Sequence, residues 1–279
     1  MLRNGNGFPL PDLGAAIARY NTTPQVELLG LSPHQAAALL DGDWRTVGAL
    51  RLNQALTPVQ TGPVRQFRLA LQLLRELLDR GPAAATATGN LARSAVARML
   101  EELEFPPGYV ASVRRYNKVI NEPDVALLHG LRLALVTAGY MRRNRGFRIT
   151  ARGRTALDLA ERAPGAVFAR LFMARMGVTA PFLDDEGRVF RSPIGPALFL
   201  LQRHAADWID SLELTDRLLI PALVPHDTPA QLGFSAYQWV LAPCEEFGLL
   251  ERREGPTGLQ PDRIRVTPLF GEFIGFPFA

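Results

Sequence analysis

Three apolar periodicities of helical length, followed at once by an alternating hairpin, constrain this chain more than any other feature. Between Val64 and Arg80, Phe67, Leu71, Leu74 and Leu78 recur at i, i+4, i+7 and i+11 and share one helical face. Gly81-Pro82 stops that helix. A loop of small residues, Ala83 to Gly89, leads into a second predicted helix over Asn90 to Glu104, with Leu91, Ala95, Val96, Met99, Leu100 and Leu103 inward. Phe105-Pro106-Pro107-Gly108 breaks the chain. Asp124 is placed to cap a third helix that runs to Ala138, apolar nearly all round, and Gly139 closes it. Tyr140 to Arg143 and Phe147 to Thr150 then read as two strands about a turn at Asn144-Arg145-Gly146. Phe147 and Ile149 alternate with Arg148 as a half-buried strand requires. Thr150 is placed to cap a further helix through Leu159.

Three helices, a hairpin and a trailing helix are the order of a winged-helix domain, with the third helix in the recognition position and the hairpin as the wing. The second half repeats the plan. Helices are predicted over Pro164–Met176, Ala197–Asp210 and Asp216–Leu223, the last capped by Thr215. Another is capped by Ser235, ends at Gly248, and should break at Pro243, which opens a short final turn. Leu249 to Arg253 and Arg263 to Thr267 form a second hairpin. From helix-stopping glycine to strand-ending threonine the spacing is 11 residues in the first unit (Gly139, Thr150) and 19 in the second (Gly248, Thr267). The expected fold is therefore mainly α with small β-hairpins: two tandem winged-helix-like domains, 63–163 and 164–279, after an N-terminal arm, 1–62. Within the arm Asn21-Thr22-Thr23-Pro24 reads as a turn, and Ser32-Pro33 as a cap and first residue of a short helix through Leu40.

Charge is distributed unevenly. Residues 1–162 carry 21 basic and 13 acidic groups, the remainder 10 and 14. The excess concentrates between Arg114 and Arg154, where ten basic residues meet only Glu122 and Asp124. Such a field attracts polyanions. The plainer counterpart is compositional: Lys118 is the only lysine, a bias that a GC-rich coding background also produces. One cysteine, Cys244, excludes an internal disulfide or a multi-cysteine metal site within one chain. The start lacks the apolar core of a signal peptide, and no apolar run approaches the roughly 18 residues of a membrane span. A cytoplasmic protein away from the membrane is expected.

Three short motifs carry a resemblance. Asn21-Thr22-Thr23-Pro24 followed by Gly30-Leu31-Ser32-Pro33-His34-Gln35 is one. Thr86-Ala87-Thr88-Gly89-Asn90-Leu91-Ala92-Arg93 is the second, and Pro243-Cys244-Glu245-Glu246-Phe247-Gly248-Leu249-Leu250 the third. Together they resemble uncharacterised bacterial proteins whose shared helical, winged-helix region is often joined to plasmid pRiA4b ORF-3-like or SEC-C modules. The cysteine-rich tail that makes the SEC-C type a zinc binder is absent here. The resemblance implies architecture and no activity.

Catalytic signatures are missing. His34, His129, His204 and His226 include no i, i+4 pair and no HExxH, and neither a phosphate-binding loop nor a nucleophile elbow occurs. Asp184-Asp185-Glu186 is three adjacent carboxylates, whereas a calcium loop spaces them. No enzyme and no cofactor are expected. The candidate nucleic-acid contacts are Arg132, Arg142, Arg143, Arg145, Arg148, Arg152 and Arg154, four of them within the seven residues of the wing tip. The third helix offers only Asp124, His129, Arg132 and Thr137 as polar residues, too few for base readout. The expectation is therefore weakly sequence-specific, wing-led binding to phosphates of double-stranded DNA. The alternative is a protein–protein adaptor without a DNA role. For that reading, or for a homo-oligomer, the surface would come from Phe270, Phe273, Phe276 and Phe278, unless they dock into their own domain.

Overall fold

The computed structural model describes residues 13–40, 50–178, 182–183, 189–190, 194–218, 240–255, 257 and 261–277. The first periodicity forms the helix Arg65–Asp79. Phe67, Leu71 and Leu74 are buried as the pattern predicts, but Leu77 takes the place assigned to Leu78, which is 45% exposed. This helix packs on three elements at once, the strand Phe147–Ile149 and the helices Ala151–Arg162 and Ala126–Thr137. Its buried arc is therefore wider than one stripe and takes in Leu69, Leu73 and Leu77.

The second helix spans Arg93–Glu102, and all six predicted inward residues are buried. It starts later than the sequence suggested because Leu91 bridges Ala85 and the Ala92 N–H bonds the Ala84 carbonyl. A further helix, Tyr109–Tyr116, follows Gly108, whose φ of 77° turns the chain out of the proline segment. Asp124 does not cap the next helix directly. It closes a 3-10 turn, Glu122–Asp124, by accepting the Asn121 N–H at 2.7 Å, and the helix Ala126–Thr137 begins one residue later.

The hairpin forms with Met141 opposite Ile149, Arg142 opposite Arg148 and Arg143 opposite Phe147. Ala83 adds a one-residue third strand by exchanging both backbone bonds with Phe147. Thr150 caps Ala151–Arg162 by accepting the Gly153 N–H at 3.0 Å.

In the second half the helix Pro164–Val178 forms as predicted, and a short strand pair joins Phe182–Leu183 to Val189–Phe190. The predicted Ala197–Asp210 helix divides. Ile194–His204 is helical, whereas Ile209–Asp210 is a strand on the outer edge of the second hairpin. The following helix is Ser211–Leu218; its first N–H groups are met by the Asp210 carboxylate, and Thr215 lies inside it. The segment capped by Ser235 lies outside the described residues up to Val240. Pro243 is the second residue of the short helix Ala242–Glu246, and Leu241 before it is also helical in its backbone. The second hairpin pairs Leu250–Arg253 with Arg263–Val266.

Both hairpins leave their helices by the same corner. Gly139 and Gly248 have φ of 75° and 68°. The Thr150 hydroxyl donates to the Gly139 carbonyl at 2.7 Å, and the Thr267 hydroxyl to the Gly248 carbonyl at 2.7 Å. Thr150 and Thr267 each donate their backbone N–H to the residue after the glycine, Tyr140 and Leu249, at 3.0 Å. The repeated glycine–threonine spacing thus marks a repeated local structure.

One buried apolar cluster runs from Leu31 to Phe276. At its centre Phe168 and Phe172 of the Pro164–Val178 helix meet Phe247 and Phe273 edge to face, with centroids 4.9–5.5 Å apart. The C-terminal strand Ile274–Gly275 pairs with Arg51–Leu52. Phe270, Phe273 and Phe276 are therefore core residues, 0–6% exposed, and not a docking surface; Phe278 lies outside the described residues. Among the described residues no helix is long and apolar enough to cross a membrane.

Candidate nucleic-acid interface

The tip of the first hairpin is built by a tight, left-handed turn. Arg145 has φ of 52° and Gly146 of 151°. A Cβ on Gly146 would stand 2.8 Å from the Ala83 carbonyl oxygen, so the close approach of the third strand needs glycine there. Arg145 has no such excuse: an L-residue in this region costs about 1–2 kcal/mol. The turn holds an arginine outward at that cost.

Cross-strand geometry puts Met141 and Ile149 inward and Arg142 and Arg148 together on the outer face. Arg142 and Arg145 are exposed and Arg148 is half-buried. Arg148 donates to the Asn144 carbonyl at 3.3 Å, while its buried Nε has no hydrogen-bond partner. None of the three pairs with a carboxylate of the described residues. On neighbouring helices Arg68, Arg75, Arg80, Arg98 and Arg114 each meet a glutamate within 4.0 Å, while Arg65, Arg115, Arg152 and Arg154 pair with no carboxylate of the described residues.

The remaining predicted residues divide. Arg143 lies on the hairpin face toward the core and turns onto the small-residue loop, donating to the carbonyls of Thr86 at 3.1 Å and Ala87 at 3.0 Å. It braces the hairpin against that loop. Arg132 is 5% exposed, bonded to the fully buried Glu122 at 2.5 Å and stacked 5.0 Å over Phe147. It belongs to the interior, so it leaves the candidate surface. Its sequence neighbours on the helix are apolar, and only the tertiary contact with Glu122 explains how a guanidinium is accommodated there. Arg152 and Arg154 are exposed on the first turn of Ala151–Arg162, at the base of the hairpin.

The helix Ala126–Thr137 is enclosed. Pro164–Val178 packs along it, and Arg175 covers Gly130 so closely that a Cβ there would sit 3.6 Å from Arg175 Nε. Arg175 in turn makes a two-pronged pair with Glu246, both contacts 2.7 Å. Only Ala126, Val136 and Thr137 of the helix are exposed. His129 Nδ1 lies 2.8 Å from Glu122 Oε1, so this half-buried histidine is turned to the buried carboxylate. The helix has no polar face to offer to base edges.

The second hairpin uses its arginines differently. Arg252 pairs with Glu245 and Asp262, Arg265 with Glu251, and Arg253 and Arg265 flank the Trp208 ring at 4.0 and 4.7 Å. Cys244 is fully buried, and burial raises its thiol far above the ordinary range, with Glu246 adding to the effect. Among the described residues no cluster of His, Cys, Asp and Glu could hold a metal ion.

No curated protein and no solved structure matches the chain. Residues 64–163, from the first core helix through the hairpin to the end of Ala151–Arg162, match the family described as the Y4jL N-terminal domain, in keeping with an uncharacterised bacterial family over that span.

Proposed function

We propose that this chain is a non-catalytic nucleic-acid-binding protein that grips duplex DNA by its phosphates through the tip of the first hairpin. The order of helix, Ala83 bridge, helix, the short helix Tyr109–Tyr116, helix and hairpin supports a winged-helix-like reading of the first unit, with one helix more than the plain order. The observation that carries the proposal is the grouping of Arg142, Arg145 and Arg148 on one outward rim without carboxylate partners. Like charges directly opposite across a hairpin are unfavourable, so an external anion stabilises the pair Arg142–Arg148. The enclosed Ala126–Thr137 helix argues for contact without base readout.

Anisotropy with a fluorescent duplex at several salt concentrations tests this. Three phosphate contacts predict log affinity falling with log salt at a slope of about −2.7. Replacing Arg142, Arg145 and Arg148 by alanine should abolish binding and flatten that slope, and scrambled duplexes should bind alike. A wild-type protein that fails to bind at low salt, or a triple variant that binds as well, removes the DNA reading and leaves the protein adaptor.

A further inference from the structure

Away from the wing tip, two more arginines converge on one spot. A Cβ placed on Gly139 would stand 3.1 Å from Arg152 Nη1 and 4.0 Å from Arg170 Nη2, so both guanidiniums lie beside this glycine. Arg170 is held by donating Nε to the Ala138 carbonyl at 2.6 Å, and its guanidinium lies 5.9 Å from the Tyr140 ring centre. Neither arginine pairs with a carboxylate of the described residues. Both are exposed to solvent, and an anion placed between them would be attracted to both.

Both line a groove of about 1010 Å³ between the helices Ala151–Arg162 and Pro164–Val178 and the strand Arg51–Leu52. Arg51 is a third cation on its lining, and no Asp or Glu of the described residues contributes. The remaining walls are mixed: small and apolar side chains such as Ala156, Leu159, Val167 and Met173, with Gln54, Thr137, Thr155 and Tyr140 among them. This volume is of the size that holds a small organic molecule, up to about 1,000 Å³. Cationic and apolar walls together select a ligand with one charged end.

We propose that this groove binds a small amphipathic oxyanion, a phosphate monoester or carboxylate on an apolar body, with its head group between Arg152 and Arg170. The inference does not depend on the wing contacting DNA. A nucleic-acid phosphate presents the same head-group chemistry, so the test must separate the two sources.

Calorimetric titration at fixed ionic strength with hexyl phosphate, inorganic phosphate and hexanol makes the separation. Hexyl phosphate should bind, hexanol should not, and inorganic phosphate should bind at least about tenfold more weakly for want of apolar contact. Arg152→Gln should weaken hexyl phosphate by about tenfold or more, the loss of one charge-assisted hydrogen bond. The alanine triple at Arg142, Arg145 and Arg148 should leave it unchanged. Ala166→Leu, which narrows the groove without touching a charge, should also weaken it and serves if Arg152→Gln does not fold. The proposal is overturned if hexyl phosphate does not bind, if inorganic phosphate binds equally well, or if the wing triple is the variant that loses it. It is equally overturned if Arg152→Gln loses duplex DNA and leaves hexyl phosphate binding intact.

Discussion

Arg132 donates through Nε to Glu122 Oε1 at 2.5 Å, and neither side chain is more than 7% exposed. The second carboxylate oxygen of Glu122 accepts the Leu91 N–H, and His129 meets the first. One acid thereby ties the loop before the second helix to the third helix, while Arg132 carries the link on to Phe147 of the hairpin. Removing one partner strands the other charge in the interior. Glu122→Ala should destabilise the protein by about 3–5 kcal/mol, read as a lowered urea midpoint. A loss below about 1 kcal/mol would mean that water reaches the pair.

Arg145 supplies a second prediction, because its left-handed backbone opposes stability while its charge serves the proposed contact. Arg145→Gly should raise stability by about 1 kcal/mol. In the same variant duplex binding should weaken. A variant less stable than wild type would show that the arginine side chain, not the turn, holds the tip.

Glycines allow a paired test of packing. A Cβ on Gly153 would come 2.2 Å from the Tyr140 carbonyl oxygen, at the junction of hairpin and helix. Gly153→Ala should destabilise by about 3 kcal/mol, at the upper end of ordinary overpacking. Gly271, in the helix Pro268–Phe273, has open space at its Cβ position. Gly271→Ala should be neutral or stabilise by up to about 1 kcal/mol through helix propensity. Thermal melts of the two variants check the contrast.

Alkaline pH should lower the stability of the protein. Burial raises the hydroxyl of Tyr109, with the Leu127 N–H bond opposing and Glu246 adding. It also raises that of Tyr140, with Arg170 and Arg152 opposing. The folded chain thus keeps these protons after the unfolded chain has lost them, and stability falls as pH climbs past the ordinary tyrosine value of about 10. Denaturant midpoints at pH 8 and above pH 10, followed with tyrosinate absorbance, measure the effect. Cys244 behaves alike, and its thiol should resist a disulfide reagent until denaturant is added. Reaction in the native state would show the site open.

Much of the local structure is legible in the order of residues. Leu91 to Leu103 predict a buried face, Thr150 a helix cap, Asn144 to Gly146 a turn, and Gly139 with Gly248 the corners, because each depends on neighbours within a few positions. Ile209–Asp210 reads as helix in the sequence because its strand partner, Arg263–Ile264, is some fifty residues away. Tyr109–Tyr116 had too short an apolar pattern to stand out between two breakers.

The sequence by itself determined where the arginines are concentrated and, wherever the signal is local, which segments turn, coil or extend. Tertiary structure alone decided what each arginine does. Arg132 and Arg143 look identical to Arg142 in one dimension, yet one enters the core beside Glu122, one braces a loop, and one faces out. Arg170 lay outside the basic segment and became part of an arginine pair only when Pro164–Val178 folded against Gly139. Charge is felt through space rather than along the chain, so burial and pairing wait on which helices meet.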